Sequence, residues 1–403
     1  MTMPLAGAAG QGGGTAHFAS PIGLDRLVRK EVSLGAIRDI PPPQNHIGLA
    51  TIAPFKDVES DDVIFDYIKG GLQDGLAPAR AEDSEAELSQ KDTLTYGQGR
   101  AAIIDWSLKD RYTASDVTRY REALLAAQAL QGQSQVPLPM NWIGRAAEEF
   151  ESKVARDDQM RRRKLDNRLE WLIMSAIQTN QIAYNDGKIK FTVTYGRPAD
   201  QQDQAPKSGL YNTTDFDPIG DFIAMNDFMY NKYGIRIHRA IASEKVLNTF
   251  WKSSRFIAMT GLVVGGTPST PIDMNYLMPG QWNPQAALNI IEQATGIRFD
   301  PPYDSVYRTR PIGGTTFTNN RFLADDRIYF LPTEADLQEI DDTDIGFAKT
   351  LTSPHPEGNW TSGYYEWEDE RRDPWERVRG TGIKAFPVFP YMQYTYTMKV
   401  LSS

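Results

Sequence analysis

Four carboxylates, Glu366, Glu368, Asp369 and Glu370, stand among Trp360, Tyr364, Tyr365, Trp367 and Trp375 in the stretch 360–376. Two carboxylates flanking an aromatic-lined cleft are the equipment of a glycoside hydrolase, one as acid and one as nucleophile or base. These residues fall in a single local run, and an exposed acidic loop that touches a neighbouring chain has the same composition. The loop is the preferred reading, with a hydrolase as the alternative. The one compact basic group is Arg161-Arg162-Arg163-Lys164. It could contact phosphates, or it could be a solvated helix face paired with Asp157, Asp158 and Asp166 at helical spacing. The second reading is preferred.

Other chemistry is thinly represented. The four histidines, His17, His46, His238 and His355, show no metal-ligand spacing. The absence of cysteine removes disulfides, thiolate metal sites and cysteine nucleophiles together. GLVVGGTPST at 261–270 is glycine-rich but lacks the Gly-Lys-Ser/Thr ending that cradles phosphate, so it reads as a loop. Asn212 and Asn359 begin glycosylation triplets, which matter only behind a secretory signal, and MTMPLAGAAGQGGG does not resemble one. The formal net charge of −9 argues against a sequence-independent nucleic-acid binder. No run approaches the roughly 18 apolar residues of a membrane helix, so a soluble chain with no membrane partner is expected. No catalytic, cofactor-binding or metal residue is assigned, and no enzymatic activity is expected.

The elements that carry these residues are more informative. No glycine or proline interrupts Arg145 to Asp186. Ile143, Ala147, Phe150 and Val154, then Leu165, Leu169, Leu172, Ile173, Ala176 and Ile177, recur at steps of three and four. That predicts an amphipathic helix of about forty residues, on the order of 60 Å long and longer than an ordinary small domain is wide. After Gly187 the period changes to two, predicting a strand over 189–195. The Gly/Ala-rich start and Pro41-Pro42-Pro43 read as an arm that gains order on another surface or as a floppy leader; LDRLVRKEVSLG is a candidate short helix within it. Val63–Ile68 and Ala102–Leu108 predict a hairpin whose connection, Lys69 to Arg100, holds Glu82, Asp83, Glu85 and Glu87. A helix is expected over Asp116–Gln131. The polar segment 197–209 marks a boundary. Beyond it come a helix from Asp217-Pro218 to Gly234, a strand over 234–242, a Ser243-capped helix and a helix bounded by Asn283-Pro284 and Gly296. Short strands follow at 297–299, 305–307 and 327–331. Met392 to Val400 alternates again, and its expected partner is the strand at 189–195, making the middle unit an insertion in a mixed α+β chain.

In this order the pieces resemble a family, the lambda-type major capsid protein E of tailed bacteriophages. LEWLIMSAIQTNQIAYNDGKIKFTVTYGRP resembles the end of that family's long helix, its turn and the following strand, with Asn180 where glycine is common. FDPIGDFIAMNDFMYNKYGIRIHRAIASEKVLNTF, FLADDRIYFLP and FPVFPYMQYTYTMKVL are similar to later blocks. The likeness covers residues 140–403; residues 1–140 match by element order.

The resemblance implies a Hong Kong 97-type fold. Its parts would be an N-terminal arm (1–55), an E-loop hairpin (56–115), a peripheral domain with the spine helix (116–214, resumed at 346–403) and an axial domain (215–345). It implies self-assembly into hexamers and pentamers that build an icosahedral shell around double-stranded DNA held without sequence specificity. Assembly would take place in the host bacterial cytoplasm, with scaffold, portal and decoration proteins as further partners. In such a shell the arm lies on a neighbour and the E-loop crosses an adjacent peripheral domain. Another virion component, a decoration or tail protein, is the second alternative. Cross-linked relatives join a loop lysine to a neighbour's asparagine; Lys69 and Lys91 lie in that region here, and the solubilising reading of both is preferred.

Overall fold

The computed structural model describes residues 38, 43, 45–69, 95–113, 115, 118, 141–187, 189–213, 215–253, 284–310, 316–337, 346–372 and 375–402. Outside them lie the expected helix in the arm, residues 70–94 with their acidic group and Lys91, the helix expected at 116–131, and the glycine-rich 261–270. In chain order the elements are β1 (Phe55–Asp57), β2 (Asp62–Lys69), β3 (Thr95–Ala102), β4 (Asp105–Thr113), α1 (Asn141–Thr179), β5 (Gln181–Asn185) and β6 (Lys190–Thr194). Then come α2 (Pro218–Tyr233), β7 (Arg239–Ala242), α3 (Glu244–Leu247), α4 (Pro284–Thr295), β8 (Arg298–Phe299), β9 (Val306–Thr309), β10 (Thr318–Arg321) and β11 (Arg327–Leu331). β12 (Lys349–Thr352), β13 (Tyr364–Arg372), β14 (Trp375–Val388) and β15 (Tyr396–Lys399) complete the chain. The class is the expected mixture of helix and sheet. No described helix is long and apolar enough to cross a membrane.

The 39 residues of α1 match the length read from the uninterrupted periodic stretch. From Leu165 onward its stripe is buried as the spacing requires: Leu169, Leu172, Ile173, Ala176 and Ile177 have no exposed surface. The helix stops at Asn180, which takes a left-handed φ of 58°. A short polar side chain tolerates that conformation far better than a branched one. Asn180 also ties the next turn down: its Oδ1 accepts from the Arg197 amide at 2.9 Å and its Nδ2 donates to the Arg197 carbonyl at 3.2 Å.

The chain forms two compact units: residues 1–42, 105–166 and 353–384, and residues 43–104, 167–352 and 385–403. Both α1 and β14 contribute to each. In the first unit β14 lies between β13 and β4, antiparallel to both. In the second, β12 pairs with the end of β14 and, in parallel, with β1. A four-stranded sheet there runs β15-β11-β7-β8. α2 lays Phe222, Met225 and Met229 on that sheet against Ala240, Phe330 and Met398, with Ile291 of α4 in the same core. α2 begins as expected at Asp217, whose side chain accepts from the Gly220 amide, and Ser243 caps α3 through the Val246 amide.

Two strand pairings and one strand's extent differ from expectation. β15 pairs with β11, not with the strand at 189–195, which pairs with β5 in a hairpin. The turn at Asp186 and Gly187, the latter at a φ of 84°, sets residues 181–185 down beside 190–194, and so near a partner costs little loop entropy. The middle unit's sheet therefore recruits the chain end directly. β2 pairs with β3, which contains Gly97 and Gly99 from the expected connection, while the segment expected to pair with β2 is β4, on β14. Ladder pairing here overrides the poor strand propensity of glycine. The strand expected over 234–242 is only β7; before it, the Ile237 amide donates to the Asn226 side chain at 2.9 Å. The last alternating stretch starts with a 3-10 turn at Met392–Tyr394 before β15.

Candidate functional site

The acidic–aromatic stretch is not a loop. Residues 364–372 form β13, paired with β14 along its whole length. The sequence supports this: acids at 366, 368 and 370 alternate, and Arg377 and Arg379 alternate on the facing strand, so opposite charges meet across the ladder. Glu368 accepts from Arg377 Nη2 and Glu366 from Arg379 Nη2, each at 3.1 Å. Thr381 Oγ1 donates to the second oxygen of Glu366 at 3.3 Å. On the other face Tyr365 and Trp367 lie across Gly382 and Gly380; a Cβ on Gly380 would come within 2.1 Å of the Trp367 ring.

The carboxylate face of β13 is turned inward. Glu366 has no exposed surface, and Arg379 has none. Arg379 reaches Asp158 of α1 at 3.2 Å. Arg161 pairs with the same Asp158, donates through Nε to Thr381 Oγ1 at 3.0 Å and reaches Asp110 of β4 at 2.5 Å. The next residue, Arg162, pairs with Asp166 at 3.1 Å and lies over the Tyr364 ring, 3.2 Å from its centroid. The Tyr364 hydroxyl donates to Asp166 at 2.5 Å. Burial raises Asp158 above its ordinary pKa, with Arg379 and Arg161 opposing the shift. Burial raises the Tyr364 phenol well above its usual value, and the neighbouring Asp166 charge adds to that.

This overturns one part of the basic-cluster reading and keeps another. Arg161 and Arg162 are buried, not solvated, and only Arg163 and Lys164 are exposed. The ion pairs with Asp158 and Asp166 are those the helical spacing pointed to. The partners the sequence did not reveal, Asp110, Tyr364, Arg379 and Thr381, are 50 or more positions away, although the two alternating charge series flanking 373–374 were a readable hairpin signal. As chemistry, the arrangement suits a tie better than a reaction. A glycosidase needs both carboxylates open to one substrate, whereas Glu366 is sealed and Glu368 is held by Arg377.

A second buried tie lies in the second unit. Glu170 of α1, also without exposed surface, accepts from the Gly48 and Leu49 amides at 3.0 and 3.1 Å and from the Tyr303 hydroxyl at 2.7 Å. The segment it holds is a single wide helical turn, Gly48–Ile52. Any side chain at 48 would collide with the carboxylate, since a Cβ would stand 2.5 Å from Oε2. Arg197 is buried as well; it donates to the Ile177 carbonyl and to Thr395 Oγ1, both at 2.7 Å, and burial lowers its pKa to about 10.

Three of the four histidines lie among the described residues, and each has a structural partner. His46 meets Phe322 edge-on, His238 bonds Asp336, and His355 stacks on Tyr365 at 3.9 Å. Among the described residues no group of His, Asp and Glu has the makings of a metal site.

A family model described as phage major capsid protein E matches residues 34–342. No curated protein matches the chain. Among solved structures, a phage-related protein from Bordetella bronchiseptica RB50 is 12% identical, covering 92% of this chain and 96% of that one with a TM-score of 0.45. The capsid of a native GTA particle is 12% identical over 90% and 93% of the two chains, with a TM-score of 0.42. The capsid of Myoviridae phage XM1 is 14% identical over 85% and 86%, with a TM-score of 0.37. The family match, not these distant likenesses, places the chain.

Proposed function

Because the chain belongs to the phage major capsid protein E family, and so is a structural protein of an icosahedral shell, we propose a division of labour among its segments. Residues 1–55 act as an arm lying on a neighbouring subunit, and 56–115 as the E-loop hairpin reaching onto another. Residues 116–214 and 346–403 make the peripheral domain, and 215–345 the axial domain that surrounds the symmetry axes of hexamers and pentamers. The shell encloses double-stranded DNA without reading its sequence and is built in the bacterial cytoplasm with scaffold and portal proteins, a decoration protein being a further partner. No catalytic step is assigned to the chain.

One observation supports this reading over a hydrolase: Glu366, at the centre of the acidic–aromatic stretch, is buried in ion pairs that join β13, β14 and α1. Sedimentation of the overproduced protein, alone and with its scaffold, tests the reading. Closed particles are expected; tubes or trimers would point to a tail or decoration protein, and a monomer under every condition would contradict it. Hydrolysis of a glycan by the monomer, lost in Glu366→Gln, would favour the enzyme instead.

A further inference from the structure

The β9–β10 ribbon presents an unusual face. Its register sets Val306 opposite Arg321 and Arg308 opposite Asn319. Residues 306, 308 and 310 on one strand and 317, 319 and 321 on the other therefore share a side. All six are exposed, Phe317 at 61% and Val306 at 46%. The opposite side is turned toward the unit, where Tyr307 packs on Phe322 with ring centroids 5.0 Å apart. The outer side thus carries three arginines and two apolar residues on a chain of net charge −9. Arg310 stands over Phe317, 5.8 Å from the ring centroid. Arg321 is paired with Asp304 and Asp325, whereas Arg308 meets no carboxylate among the described residues.

We propose that this face docks the acidic segment 82–87 of a second copy of the chain. The segment reads Glu-Asp-Ser-Glu-Ala-Glu, so Asp83, Glu85 and Glu87 fall on every second residue. In an extended chain they lie on one side with a repeat of about 6.6 Å, the same repeat that separates Arg308 from Arg310. Carboxylates at that spacing meet guanidinium groups in charge-assisted pairs, and Val306 and Phe317 offer apolar contact to the chain between them. Those apolar residues, with one arginine already neutralised by two aspartates, suit a peptide better than a phosphate backbone. The inference rests on the shell-building function and names a contact within it.

Charge exchange tests it, with wild-type assembly as the control; a wild type that never assembles contradicts the shell function itself. Arg308→Glu with Arg310→Glu should lower shell yield more than about tenfold, because like charges are then opposed. Glu85→Arg with Glu87→Arg should do the same, and the four changes together should restore shells. Either reversal assembling normally, or the combination failing to recover while its subunits stay folded by circular dichroism, would overturn the contact. Shells that form with the reversed ribbon but retain less DNA would give the face to nucleic acid. The chain has no cysteine, so Arg308→Cys with Glu85→Cys reports this pair alone. Oxidised shells should give a ladder of linked chains on a denaturing gel; a single unlinked or internally linked chain would overturn docking between copies.

Discussion

Glu366 and Arg379 illustrate how buried charge behaves in this protein. Glu366 pairs with Arg379, which also holds Asp158, so removing Arg379 takes a partner from two buried carboxylates at once. Glu366→Ala or Arg379→Ala is expected to cost about 3–5 kcal/mol, read as a lowered urea midpoint of the unassembled subunit. Replacing both together by Leu and Met should cost less than Arg379→Ala, because the Glu366 charge is then gone too and Asp158 keeps Arg161. A lone helix pair such as Arg162–Asp166 could be read from spacing, but not its burial: that depends on Tyr364, nearly 200 positions away, covering the guanidinium. A separation of 122 positions hid Glu170 in the same way, an acid on a helix until the Gly48 and Leu49 amides are seen to close on it.

Among the elements, α1 was the most legible, since recurring apolar residues with no glycine or proline from Arg145 on specify helix and length, and from Leu165 onward the buried face as well. Between Val154 and Leu165 that face carries Asp158, Arg161 and Arg162 instead. Its end was less so. The residues after Thr179 contain no breaker, and only the left-handed conformation of Asn180 turns the chain into β5. Asn180→Val should therefore be markedly destabilising, by about 2 kcal/mol from strain and lost hydrogen bonds. Asn180→Gly, which keeps the conformation, should cost less. Thermal melting of the two variants side by side measures the difference. β13 was misread for a related reason: acidic residues suggest solvent, yet here their alternation matched the arginines of β14 and turned the charged side inward. The pairing of β15 was misassigned because a well-patterned strand announces its need for a partner without naming it.

At the scale of the whole molecule, tyrosine burial gives the protein an alkaline limit. Burial pushes Tyr394 and Tyr396 up to about 12, and raises Tyr195, Tyr211, Tyr329 and Tyr364 further. In the unfolded chain these phenols ionise near pH 10. Below pH 10 both states are protonated and the stability is fully present. Above it the unfolded chain loses protons first, so stability falls as pH rises from about 10 through 12. Arg197, lowered to about 10, works in the opposite sense but is one group against several. Denaturant unfolding at pH 9 and pH 11, followed with tyrosinate absorbance, should show a lower midpoint at the higher pH and tyrosines that ionise only as the fold is lost. The long helix, the helix from Asp217-Pro218 and the Ser243 cap were legible because each has its own period or punctuation. Sheet partners were not, because pairing is decided by chain reversals and charge matches that no single stretch contains.

The shell-building function is tested most directly by cryo-electron microscopy of particles made from this chain. The expected map is a closed icosahedral shell whose six-fold and five-fold clusters are both built from it, with α1 visible as a long rod in every subunit. A map in which the chain forms only trimers, rings or tubes, or decorates a lattice made by another protein, would contradict the account.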